Sequence, residues 1–169
     1  MSIAYIRFHV RDLARLGAME RFIDRLRDAK RSGDFPGNED WLPYLDEPCW
    51  SYFQSLTPEE MTEWAADWKS TPVEIRLKDP TLSPHWDVDS WLDALRNGEF
   101  LVTGLKNSDS EGQLEIEPLA FPYGGASCLV AIPEVFGQVP FGLDDGMGYR
   151  QYVRPAHWLP RARRKARES

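Results

Sequence analysis

The chain has 169 residues, of which 42% are hydrophobic and 28% charged, and its formal net charge is −7. This length allows one domain that buries a core without disulfides or a structural metal, and the hydrophobic content excludes a fully disordered chain. No stretch approaches the roughly 18 consecutive apolar residues of a membrane helix, and Cys49 and Cys128 form neither a CxxC pair nor a zinc spacing, so we expect a cytoplasmic protein with reduced thiols and no membrane association.

A strand and a long helix are the first predicted elements. Residues 3–10 alternate between hydrophobic and polar side chains, as a half-buried strand does. Asp12 is suited to cap a helix that runs to about Arg31, because hydrophobic residues recur there at spacings of three and four while arginines fill the opposite side. Gly33 ends this helix, and residues 34–40 (DFPGNED) are predicted to form a loop.

Residues 41–69 are predicted to be helical with interruptions. Two prolines permit only short helical pieces before residue 57. The strongest local signal in the chain follows them, in the sequence TPEE. Thr57 can cap a helix, Pro58 suits its first position, and Glu60 stands where a capping-box acid reaches back to the cap.

Further strands are predicted in the middle of the chain. Residues 73–77 (VEIRL) alternate and predict a strand, and a helix starting at Ser83 or Asp87 ends at an Asn-Gly pair. Residues 99–105 and 113–119 are then predicted to pair as a hairpin around a polar loop.

The last third of the chain contains one ambiguous segment. Residues 126–136 (ASCLVAIPEVF) have hydrophobic residues at helical spacing, but an interior proline costs about 3 kcal/mol or more. We therefore predict a short helix that bends or ends near Pro133. A glycine turn is predicted before it at residues 122–125, and a final strand at residues 149–153.

This order of elements predicts an α+β fold. We expect a single domain over residues 1–160, with a mixed or antiparallel sheet of about five strands, a long N-terminal helix and several short helices. Residues 161–169 (RARRKARES) carry five cations and follow a proline, so we predict a basic, disordered tail. The alternative is that residues 161–169 fold back onto the acidic part of the chain.

The charge is segregated along the chain. Residues 1–32 and 161–169 each carry a net charge of +4, whereas residues 33–160 contain 22 acidic and 7 basic side chains, a net charge of −15. Such a field repels nucleic acid and accelerates encounter with a basic partner. A purely solubilising role for the acids is the alternative.

Seven tryptophans are an excess for this length, and several stand among acids and prolines. Exposed aromatic residues beside acids suit a protein interface, where aromatics anchor the partner and charges steer it. The alternative is that most of them fill the core. The predicted binding residues are Trp41, Trp50, Trp86, Glu115, Glu117, Asp144 and Asp145.

His85, Asp87 and Asp89 are the nearest approach to a catalytic or metal-binding cluster. One histidine and two carboxylates can bind a divalent metal, or the carboxylates can orient the imidazole as a general base. In a helix, however, the three side chains would fan around the axis, and the aspartates would also serve as ordinary helix caps. We therefore predict no catalytic residue, no metal and no cofactor, and keep these three residues as weak candidates.

Three functions follow, and the sequence favours the first. It is a non-enzymatic protein-binding module for a basic partner, of the inhibitor or immunity type, by analogy with small acidic intracellular immunity proteins of bacteria. The second is a small-molecule or metal-binding enzyme centred on His85, Asp87 and Asp89. The third is a nucleic-acid-linked regulator that uses the arginine-rich tail, although nucleic acid is the less favoured partner.

Overall fold

Five antiparallel strands form one sheet in the structure, a computed structural model that describes residues 3–76, 78–120 and 125–168. They are β1 (Ala4–His9), β2 (Phe100–Asn107), β3 (Glu111–Pro118), β4 (Val139–Asp144) and β5 (Tyr149–Gln151). Their order across the sheet is β2-β3-β1-β4-β5, so the first strand of the chain lies at the centre between strands from the second half. The predicted α+β class is confirmed, and the sheet is antiparallel rather than mixed.

The helices stand between these strands and after them. The α-helices are α1 (Leu16–Ser32), α2 (Pro58–Ser70), α3 (Val73–Arg76), α4 (Val88–Asn97), α5 (Ser127–Val135) and α6 (Arg161–Glu168). Short 3₁₀ helices occupy Leu13–Arg15, Asn38–Tyr44, Glu47–Ser51 and Pro80–Leu82. No helix in the described ranges is long and apolar enough to cross a membrane.

The chain divides into two compact units where the sequence predicts one domain over residues 1–160. The sheet unit comprises Met1–Tyr52 and Val88–Val153, and therefore contains all five strands with α1, α4 and α5. The helical unit comprises Phe53–Asp87 and Arg154–Ser169, and contains α2, α3 and α6.

The core of the sheet unit lies between one face of the sheet and the apolar stripe of α1. Ala4, Ile6 and Phe8 of β1 are buried, as the alternation of residues 3–10 predicts. The Phe22 ring of α1 is fully buried and lies 5.1 Å from the ring of Trp91 in α4. Large apolar area is removed from water here, and burial of such area is the main stabilising contribution to the fold.

One predicted strand is wrong and one strand was not predicted. Val73–Arg76 forms the short helix α3, and the exposed fractions of Val73 and Ile75 are 68% and 45%, while Leu77 lies outside the described residues. Hydrophobic and polar residues alternate over residues 73–77, but residues 73–76 are not part of the sheet that would bury the hydrophobic ones. The fifth strand is instead β4, whose proline and glycine weaken the strand signal in the sequence.

The ambiguous segment is a helix, as predicted. In α5, Pro133 lies inside the helix, which ends two residues later at Val135. The carbonyl oxygen of Pro133 accepts hydrogen bonds from the backbone N–H groups of Phe136 and Gln138, which close the last turn. The predicted glycine turn lies outside the described residues except for Gly125.

The helical unit contains the capping box predicted from TPEE. The Glu60 backbone N–H donates to the Thr57 hydroxyl at 3.1 Å, and the Thr57 backbone N–H donates to the Glu60 carboxylate at 3.0 Å. The segment predicted to be a disordered tail forms α6 over Arg161–Glu168. Its first backbone N–H, on Arg161, donates to the carboxylate of Glu63 in α2 at 2.9 Å.

Candidate functional site

The face of the sheet opposite the core carries polar and aromatic side chains. We call it the open face, because its side chains are half-buried or exposed. It is defined by residues of three adjacent strands. They are Tyr5, Arg7 and His9 of β1, Glu111, Gln113, Glu115 and Glu117 of β3, and Phe141, Gly142 and Asp144 of β4.

Two predicted binding residues meet on this face. The strand register places Glu115 and Asp144 on either side of Tyr5, each as its direct cross-strand neighbour. Opposed side chains in such pairs lie within contact distance of each other across the strands. The sheet therefore assembles an aromatic residue between two carboxylates from residues that are far apart in sequence.

An aromatic cluster lies beside this group. The His9 ring stacks on Phe141 with ring centroids 4.2 Å apart, and the Arg7 guanidinium lies 5.3 Å from the centre of the same ring. The Tyr149 ring of β5 occupies the space above Gly142, where any side chain would collide with it. Gly142 is thus required for Tyr149 to lie flat on the sheet.

Ion pairs hold several open-face carboxylates in place. Arg7 pairs with Glu111 at 3.3 Å, and Lys106 pairs with Glu115 at 3.0 Å. A shallow groove of about 410 Å³ lies beside them, lined by Arg7, Lys106, Asn107, Ser108, Glu111, Gly112 and Gln113. Pairs as exposed as Arg7–Glu111 contribute little to stability, so these charges are available to an incoming partner at small cost.

The predicted acids Asp144 and Asp145 shape the turn between β4 and β5. The Asp144 carboxylate accepts hydrogen bonds from the backbone N–H groups of Gly146 and Gly148, both of which have φ above +100°. Glycine adopts this backbone conformation without strain. The turn presents Met147 with 83% of its surface exposed, and the Asp145 carboxylate pairs with Arg150 at 2.8 Å.

Exposed hydrophobic side chains continue along this edge of the sheet. Tyr149 is 53% exposed and Val153 is 78% exposed, while Val139 at the start of β4 is 46% exposed. Clustered exposed hydrophobic residues next to charged ones are typical of protein interaction sites. Sequence reasoning missed this strip because β4 was not predicted as a strand.

The predicted tryptophans do not gather at the open face. Trp41 is fully buried, with its ring 5.2 Å from that of Phe22 and 5.0 Å from that of Phe35, so it belongs to the core and is not a docking residue. Trp50 is 44% exposed. Trp86 is half-buried in the helical unit, where its carbonyl oxygen accepts a hydrogen bond from the Gln54 backbone.

The weak candidates His85, Asp87 and Asp89 do not form a metal-binding group in the structure. Among the described residues, no group of three or more histidine, cysteine, aspartate or glutamate side chains could hold a metal ion. His85 and Asp87 belong to the helical unit and Asp89 to the sheet unit, where its carboxylate accepts a hydrogen bond from Asn38 at 3.2 Å.

His85 contacts His157, at 5.1 Å between ring centroids. A β-bridge between Pro84 and Trp158 brings the two segments together. Burial and the nearby Arg154 charge lower the pKa of His157, which favours its neutral form. This pair is not predictable from the sequence, because it depends on a bridge between distant segments.

Neither thiol has the properties of a nucleophile. Burial and a hydrogen bond to Asp46 raise the pKa of Cys49 to about 12, and burial raises the pKa of Cys128 to about 11. Because the thiolate is the reactive form, both thiols are unreactive near neutral pH. Cys128 is 2% exposed and belongs to the core of the sheet unit.

A second cleft, of about 430 Å³, lies at the C-terminal ends of α1 and α4. The Lys30 ammonium there donates to the carbonyl oxygens of Arg96 and Gly98, at 3.0 and 2.6 Å, and lies 4.3 Å from the centre of the Phe100 ring. Cations stabilise the C-terminal end of a helix in this way. Lys30 thus has a structural role.

The negative charge is concentrated in one unit. The sheet unit contains 19 acidic and 11 basic side chains, a net charge of −8, and the helical unit contains 8 acidic and 9 basic side chains, a net charge of +1. Within the sheet unit, residues 88–153 hold ten of the acids and three of the bases. The acidic field thus belongs to the unit that carries the open face.

Comparisons with models of known protein families, with curated proteins and with solved structures give no match.

Proposed function

We propose that this chain is a non-enzymatic protein-binding module of the inhibitor or immunity type, and that its open face and the β4–β5 edge dock a basic protein. The observation that carries the proposal is the placement of Tyr5 between Glu115 and Asp144, with the exposed Tyr149 as the next cross-strand neighbour of Asp144 and the exposed Met147 in the β4–β5 turn.

The chemistry of this surface matches the energetics of protein recognition. Aromatic and methionine side chains are enriched where interfaces are anchored, and Tyr149 and Met147 are such residues with more than half of their surface exposed. The acids supply steering, because a net charge of −8 on the sheet unit raises the encounter rate with a cationic surface. A partner rich in lysine or arginine is therefore the kind of protein that this face fits.

The alternatives have less support in the described residues. A metal-dependent site at His85 has less support, because among the described residues no group of three or more histidine, cysteine, aspartate or glutamate side chains could hold a metal ion. Nucleic-acid binding through the C-terminal arginines requires their release from carboxylates of α2, to which Arg163 and Arg164 are paired, and it gives the acidic open face no role.

Photo-crosslinking tests the proposed docking face. A benzophenone amino acid is placed at Tyr149, and in a second variant at Asp28, an exposed position on α1. We expect position 149 to crosslink a basic protein in a cell extract, identified by mass spectrometry, and position 28 not to do so.

The captured protein is then measured by calorimetry against the purified chain. Glu115→Lys combined with Glu117→Lys, which leaves the Asp144 turn intact, should weaken its binding at least tenfold, and so should an increase in salt from about 50 to 300 mM. Asp24→Lys combined with Asp28→Lys makes the same change in net charge on α1 and should have less than a threefold effect. Equal effects of the two pairs of substitutions, or equal crosslinking from the two positions, would refute the proposal.

A further inference from the structure

The sequence of α6 is rich in cations, and three of its arginines pair with carboxylates of α2. Arg161 and Arg164 pair with Glu63 at 3.5 Å, and Arg163 pairs with Glu60 at 3.4 Å. Arg164 also lies 3.6 Å from the carboxylate of Asp67. The three carboxylates lie along one stripe of α2, since their positions differ by three and four.

These contacts are electrostatic and weak. The side chains of Arg161, Arg163 and Arg164 are 77%, 44% and 44% exposed, those of Glu63 and Glu60 are 24% and 18% exposed, and every pair is longer than 3.3 Å. Long pairs whose cation reaches into solvent are screened by salt, and exposed pairs contribute about 0–1 kcal/mol each. The only apolar side chains in the sequence of α6 (RARRKARE) are two alanines, so the helix has little hydrophobic area to bury.

Outside this contact, α6 would not stay helical. An isolated helix of eight residues is far below the roughly 12–15 residues at which helices become marginally stable in water. The sequence, taken alone, predicts disorder for a different reason, because a run of five cations follows a proline. The segment is therefore helical in its contact with α2, and a segment released from α2 would be a free cationic chain.

We propose that α6 is a binding segment for the phosphate backbone of a nucleic acid, and that Glu60, Glu63 and Asp67 of α2 mask it. In the masked state the carboxylates occupy the guanidinium groups that phosphates would otherwise contact. Arginine is well suited to both ligands, because its planar group donates paired hydrogen bonds to carboxylate and to phosphate.

The helical unit lacks the strong negative field that repels nucleic acid elsewhere in the chain. Its net charge is +1, against −8 for the sheet unit. All the residues of the proposal lie in the helical unit, so it does not depend on the function proposed for the open face. The masking proposal also predicts an effect that a simple basic tail would not have. Removing the carboxylates of Glu60 and Glu63 should strengthen nucleic-acid binding.

Fluorescence anisotropy with a labelled 20-nucleotide single-stranded DNA, at about 50 mM salt, tests the proposal. We expect weak binding by the wild-type chain and at least tenfold tighter binding by Glu60→Gln combined with Glu63→Gln. Glutamine retains the capping box and can still accept the backbone N–H of Arg161, and circular dichroism checks that α2 is intact.

The matched control is Glu59→Gln combined with Glu74→Gln, which changes the net charge equally at two exposed acids of the helical unit. It should tighten binding less than twofold. Adding Arg163→Gln and Arg164→Gln to the first pair should remove the gain. If both glutamate pairs give the same affinity, or if no variant binds the DNA, masking by α2 is excluded.

Discussion

Arg15 and Asp46 form the most deeply placed ion pair of the sheet unit among the described residues. Two guanidinium nitrogens of Arg15 donate to the carboxylate of Asp46 at 2.8 and 2.6 Å, and one of them also donates to the carbonyl oxygen of Val135 at 2.8 Å. The two side chains are 13% and 26% exposed. The Arg15 hydrogen bond lowers the pKa of Asp46, and the same bond raises the pKa of Arg15.

Asp46→Asn should destabilise the chain by about 2–3 kcal/mol at pH 7, because it leaves a mostly buried guanidinium without its counter-charge. Since the folded-state pKa of Asp46 is lowered, this contribution is present above the ordinary carboxyl pKa of about 4 and is lost as pH falls through the lower folded value. Urea unfolding at pH 7 and pH 3 measures it, and the difference between wild type and variant should shrink at pH 3.

Asp24→Asn is the control for this pair. Asp24 pairs with Arg27 at the same distance of 2.6 Å, but its side chain is 61% exposed. The substitution should cost no more than about 0.5 kcal/mol. A loss at Asp24 equal to that at Asp46 would show that burial does not determine the strength of these pairs.

At the scale of elements, the side chain of Gln138 joins the end of β1 to the segment between α5 and β4. Its carbonyl oxygen accepts from the backbone N–H groups of Arg11 and Asp12, and its amide nitrogen donates to the carbonyl oxygens of Asp12 and Phe136. It is 3% exposed, and no other polar or charged side chain in the described ranges is buried. All of its hydrogen-bonding groups are used.

Gln138→Leu should therefore cost about 3 kcal/mol, because it leaves buried backbone groups without partners while nearly preserving the volume of the side chain. Gln151→Leu, on the exposed strand β5, should change the free energy of unfolding by no more than about 0.5 kcal/mol. Urea denaturation of both variants checks this. The prediction fails if Gln138→Leu is as stable as the wild type.

Local signals in the sequence predicted the elements that depend on neighbouring residues. The TPEE capping box lies within the first turn of α2, and the apolar stripe of α1 lies within that one helix. By contrast, β4 depends on its pairing with β1, and its Pro140 lies at an irregularity in that pairing, where a strand tolerates proline. The open face was unpredictable for the same reason, since Tyr5, Glu115 and Asp144 meet only through the register of three strands.

At the scale of the whole molecule, the two units differ in how much they bury. The sheet unit contains nearly all of the fully buried hydrophobic side chains in the described ranges, including the aromatic group around Phe22. In the described part of the helical unit, Trp158 and Pro160 are the buried residues. Its other contacts include the Trp158 indole N–H donating to Asp67 at 2.8 Å and the ion pairs of α6.

Hydrogen exchange of the intact chain, followed by mass spectrometry, should separate these two levels of burial. A region opens at a low free energy where it has few buried apolar contacts and its backbone hydrogen bonds are exposed to solvent. Amides of α2 and α6 should therefore exchange faster than those of β1, β3 and α1. Raising the salt to about 1 M shortens the screening length to about 3 Å and should further accelerate exchange in α6, whose contacts are ionic, while α1 is unaffected. Equal protection of α2 and β1 would contradict the view that buried packing makes the sheet unit more stable than the helical unit. Exchange in α6 that does not respond to salt would contradict the view that ion pairs stabilise α6.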